Sequence, residues 1–99
     1  MTKNKTISQI LTTLEIEALL REGRLEEAYT ELHNLLEREP KNAYAWYLLG
    51  GIYRRQQLWG DAINAFNKAK MIDPTGPAAT AIEGIYEILN FRNVDFLNA

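Results

Sequence analysis

The chain has 99 residues, 46% hydrophobic and 24% charged; this is the composition of one small globular domain and not of a disordered segment. Eleven Lys and Arg against thirteen Asp and Glu leave a net charge of −2, which excludes the basic footprint of a nucleic-acid binder. Cysteine is absent, so disulfides, thiolate metal sites and a cysteine nucleophile are excluded, and a cytoplasmic location is expected.

Lys3 and Lys5 precede an apolar run that Glu15 and Glu17 interrupt, with no small-residue cleavage site after it, so no signal peptide is expected. The longest uncharged window, Asn42 to Tyr53, is 12 residues and too short to span a bilayer. Thr6 and Gln9 resemble a capping box at the start of a first helix. Gly23 breaks the chain, and a second helix follows over about Leu25 to Arg38, with Glu26, Glu27 and Glu31 near its positive end. Pro40 punctuates, and Asn42 is a suitable N-cap for a third helix. That helix carries Ala43, Trp46, Leu49, Gly50 and Tyr53 at helical spacing and ends on Arg54 and Arg55, where cations suit the dipole. A fourth helix spans about Trp59 to Met71 and stops at Pro74. Gly76 and Pro77 restart the chain with proline in a first turn, giving a fifth helix to about Phe91 and a tail over 92–99. The short connections make neighbouring helices antiparallel.

The elements repeat. Shifted by 34, Leu14 meets Leu48 and Ile82, Ala28 meets Ala62, Leu32 meets Phe66, Pro40 meets Pro74 and Gly50 meets Gly84. Two helix-pair units result, Gln9 to Asn42 and Ala43 to Gly76, with a half-unit from Pro77. Gly50 and Ala62 are read as small residues on facing helices that let the two backbones approach, with Trp46, Leu49, Tyr53 and Phe66 around them.

The second unit, with Trp46, Leu49, Gly50, Tyr53, Ala62, Phe66, Ala69 and Pro74, resembles the signature of the tetratricopeptide repeat (TPR) family at all eight positions. The first unit keeps Ala28 and Pro40, substitutes Leu32 and Leu35, and departs at Thr12, Glu15 and Ile16. The run Ile88 to Asn93 also resembles the ending of small bacterial members. The resemblance implies an all-α, TPR-like α-solenoid of antiparallel helix pairs: five helices in a single domain over 1–99, two repeats plus a C-terminal capping helix.

The resemblance also implies that the first helix of each unit lines a concave face that binds a peptide or helix of a partner. Carried over by position, this stripe is Ile10, Thr13, Glu17, Leu20 and Arg21, then Tyr44, Tyr47, Gly51, Arg54 and Arg55, then Ala78, Ala81, Ile85, Ile88 and Leu89. Tyr44 and Tyr47 offer a ring and a hydroxyl; Arg54 and Arg55 offer a fork for a carboxylate. The opposing reading makes the tyrosines packing between helices and the arginines caps of a helix C-terminus. The chaperone-tail clamp known in some family members is excluded, because its positions here are Thr13, Glu17, Leu48, Ala78 and Ile82.

No enzyme, cofactor or metal is expected. His33, the only histidine, and Glu37 make two ligands without a third. Ser8 is the only serine, and Gly50-Gly51 lies inside a helix pattern, not after a strand. Thr80, Glu83, Glu87 and Asn90 form a polar outer stripe on the last helix. Its remaining apolar surface, with Phe91, Val94, Phe96 and Leu97, motivates the alternative of structural self-association. The expected assembly is therefore a protein- or peptide-binding adaptor, monomer or weak homodimer, with no nucleic-acid or membrane partner; RNA binding by a helical repeat is disfavoured by the acidic balance.

Overall fold

The computed structural model describes the backbone of residues 2–98 and the side chains of residues 12–90. Five helices follow in order: α1 (Thr2–Arg21), α2 (Leu25–Arg38), α3 (Ala43–Arg55), α4 (Trp59–Ile72) and α5 (Ala78–Asn98). No strand occurs among the described residues. The architecture is the TPR-like solenoid that the family resemblance implies.

Equivalent turns close with equivalent bonds. After α1, the Arg24 amide donates to the Leu19 carbonyl (2.9 Å) and the Gly23 amide to the Leu20 carbonyl (3.1 Å). These two bonds form a Schellman motif with Gly23 at φ +76°. Thirty-four residues on, Leu58 donates to the Tyr53 carbonyl (2.9 Å) and Gln57 to the Arg54 carbonyl (3.0 Å). Gln57 holds the left-handed conformation there, at φ +60°. The inter-repeat turns match as well: Asn42 donates to the Glu39 carbonyl and Gly76 to the Asp73 carbonyl.

Asn42 caps α3 as its sequence position suggests, its side-chain oxygen accepting from the Ala45 amide at 3.0 Å. Two helix ends differ from the sequence expectation. The first helix begins at Thr2, so Thr6 and Gln9 lie within it and not at its start. The last helix does not stop near Phe91; it continues to Asn98 through the stretch read as a tail. Neither glycine nor proline occurs after Gly84 to interrupt it. The side chains of Ile10, Phe91, Val94, Phe96 and Leu97 lie outside the described residues.

The core has two lobes. One joins α1, α2 and α3 through Ile16, Leu32, Leu35, Leu48 and Ile52. The other joins α3, α4 and α5 through Phe66, Ala69, Ala78, Ile82 and Ile85. Trp46, Tyr47 and Tyr53 pack against both, so α3 is the shared wall. Its tightest point is Gly50: a Cβ placed there would lie 2.6 Å from the Phe66 ring. The nearest atoms to that Cβ all belong to the Phe66 ring, one of the side chains read as surrounding the contact of the two helices. Ala62 is fully buried.

Candidate functional site: the groove of the odd-numbered helices

A groove of about 410 Å³ runs between α3 and α5. Leu20 of α1, Tyr47, Leu48, Gly51, Arg54 and Arg55 of α3, and Thr80, Ala81 and Gly84 of α5 line it, with Phe66 of α4 at its base. Its walls come from the first helix of each unit. A volume of this order accommodates several side chains of a ligand.

Of the positions anticipated from the sequence, Leu20 of α1 and Tyr47, Gly51, Arg54 and Arg55 of α3 line the groove. Tyr44 donates its hydroxyl to Glu17 Oε1 at 2.7 Å, which ties α3 to α1. This bond, with some burial, raises the Tyr44 phenol pKa to about 12. Tyr44 and Tyr47 are stacked, with ring centroids 5.8 Å apart. Tyr47 in turn tilts against Phe66 at 5.6 Å. Tyr47 is therefore half-buried packing that also forms groove wall, while Tyr44 stays 43% exposed. Both also edge a small cleft of about 50 Å³ with Ala43, Ala69, Asp73, Gly76, Pro77 and Ala78. Thr13 is half-buried and Arg21 exposed on α1.

The two arginines separate. Arg55 Nη1 donates to the Leu20 carbonyl at 2.8 Å and so caps the C-terminus of α1 from the neighbouring helix, as the cap reading has it. Arg54 is exposed on the groove wall. Its guanidinium forms no hydrogen bond or ion pair with any described residue.

On α5 the stripe needs correction. Ala78 and Ile85 are 1% and 0% exposed; they belong to the second core lobe and do not line the groove between α3 and α5. Leu89 packs against the same lobe. Thr80 and Gly84 stand in the groove beside Ala81 instead, so Thr80 does not belong to an outer polar stripe. The most apolar residues of α5 turn towards α4. The spacing Ala78, Ile82, Ile85, Leu89, four, three and four residues apart, is the signal that locates this face. Period alignment alone missed Thr80 and Gly84.

The signature residues hold the unit that carries the groove. Trp46 Nε1 donates to the Pro40 carbonyl at 2.9 Å, and Lys68 Nζ sits 4.6 Å above the Trp46 ring. Leu49, Ala62, Phe66 and Ala69 are buried, and Pro74 is exposed in the turn. Tyr53 packs edge-on to Tyr29; burial, then hydrogen bonding with Tyr29, pushes its pKa up to about 12. His33 is exposed and meets the Tyr29 hydroxyl at 3.0 Å. Among the described residues, no three His, Asp or Glu side chains converge to hold a metal, and no helix is long and apolar enough to cross a membrane.

The sequence matches the family model for the tetratricopeptide repeat over residues 13–77. Among solved structures, the chain is similar to the solution NMR structure of Bacteroides fragilis protein BF1650, at 35% identity and a TM-score of 0.75. That match covers 85% of this chain and 86% of the other. No curated protein matches.

Proposed function

The chain belongs to the tetratricopeptide repeat family, whose repeats mediate protein–protein interaction, and from that premise we propose that the groove between α3 and α5 is its partner-binding surface. The chain then acts as a non-enzymatic cytoplasmic adaptor that takes up a peptide or helix of another protein. One observation carries the reading: the groove is open and partly apolar, and its floor is kept low by Gly51 and Gly84. A Cβ added at either glycine meets nothing within 4 Å.

That geometry supplies the test. Gly51→Leu places a side chain in open groove space without touching the core, and it removes a helix-interior glycine that costs about 1 kcal/mol relative to alanine. Lysate proteins captured by wild type should be lost from Gly51→Leu while its melting temperature holds. Equal capture by both would remove the groove assignment.

Self-association is the alternative, and it now has a narrower motive. Ala78, Ile82 and Ile85 are buried within the chain's own core, leaving Tyr86, 50% exposed, as the large apolar side chain on the described outer face of α5. Light scattering at high concentration tests it: a monomer mass would end this alternative.

A further inference from the structure

We infer that Arg54 makes this groove selective for an acidic peptide, a carboxylate side chain of the bound segment pairing with its guanidinium while apolar residues rest on Leu20, Tyr47 and Ala81. The inference rests on the groove reading above and specifies its ligand. Three observations carry it. The groove lining contains two guanidinium groups and no carboxylate, although the chain as a whole has a net charge of −2. One of the two, Arg55, already donates to the Leu20 carbonyl, whereas the Arg54 guanidinium has no charged or hydrogen-bonding partner among the described residues. The 34-residue period places Leu20 and Ile88 at the positions equivalent to Arg54. A cation therefore interrupts an otherwise apolar register at this one helix.

The helix dipole favours a cation in the last turn of α3, and Arg55 meets that preference equally. The dipole does not explain a second, unpaired guanidinium on the wall of a partly apolar groove. There the low-dielectric walls strengthen an ion pair relative to one in open water, and a planar fork suits a carboxylate bidentately.

The experiment is selection from a random-peptide display library on the full wild-type chain, with Gly84→Leu as the filled-groove control. Peptides retained by wild type and lost on Gly84→Leu should be enriched in Asp and Glu over the input library. For those peptides, Arg54→Gln, or amides in place of the peptide carboxylates, should weaken binding by about 10-fold or more, the usual worth of a charged hydrogen bond. Arg54 is exposed, so unchanged melting of Arg54→Gln verifies its fold. Groove-dependent peptides with no acidic excess, or with equal affinity for Arg54→Gln, would overturn the inference and leave the groove reading intact. If the groove-dependent ligand proved to be a labelled oligouridine RNA, both would be overturned. If no selected peptide depended on the open groove, the groove reading would fall and this inference with it.

Discussion

The two repeats share a backbone and differ in how they fill it. In the second, Gly50 faces Phe66, and the ring occupies the place where a Cβ would stand. In the first, the equivalent residues are Ile16 and Leu32, both fully buried. Volume has moved from one helix to the other: small and large in the second repeat, medium and medium in the first. Core packing fixes total volume more strictly than its allocation, so two sequences that agree at few signature positions build the same helix pair. The turns show the same freedom. Gly23 supplies a left-handed residue at no steric cost, and Gln57 adopts that conformation at the equivalent place.

The comparison can be broken at its strongest contact. Phe66→Ala empties the space around Gly50 and should cost about 3–5 kcal/mol in denaturant unfolding. No loss of stability would contradict the second core lobe. Adding one methyl at two equivalent glycines gives the next contrast. Gly50→Ala drives a Cβ into the Phe66 ring and should destabilise by about 1–3 kcal/mol. Gly84→Ala meets open space and should stabilise by up to about 1 kcal/mol through helix propensity alone. Thermal unfolding of both variants that moved in the same direction would refute the distinction between a packed and an unpacked glycine.

Turn chemistry sets a smaller difference. Gln57→Gly relieves the left-handed glutamine and should stabilise by about 0.5–1 kcal/mol; a loss would show that the glutamine side chain contributes more than its backbone costs. The smallest effect concerns the tie between α1 and α3. Tyr44 has a folded-state pKa of about 12, raised from 10. The stability it contributes is fully present below pH 10 and is lost as pH rises from 10 towards 12. Between those values wild type should lose stability more steeply than Tyr44→Phe. Parallel profiles would mean that the bond to Glu17 does not persist in solution.

Much of the fold was legible in the sequence because a 34-residue period repeats turn residues as well as core residues. Pro40 with Pro74, and Leu25 with Trp59, delimit helices whichever side chains fill the interior. The part of the groove on α3 was legible for the same reason, since Tyr47, Gly51 and Arg54 follow from that unit's register. The α5 wall was not. Carrying positions forward by 34 selects the same face of each helix, but the groove lies between α3 and α5, so the two helices present different sides to it. On α5 the core face buries Ile85, and the adjoining side presents Gly84 to the groove. The helix's continuation to Asn98 escaped notice because no proline or glycine marks an end there. Nor could sequence spacing separate Arg54 from its neighbour, because the role of Arg55 depends on a carbonyl 35 residues earlier in the chain.

The central claim, that partners enter between α3 and α5, is tested most directly by photocrosslinking. A photoreactive residue placed at Thr80, on the groove wall, is compared with one at Glu87, exposed on the same helix but outside the groove. Covalent capture of a partner from Thr80 and not from Glu87 is the result this account predicts. Capture from Glu87 alone, or equally from both, would contradict it and place the interaction on the outer face of α5.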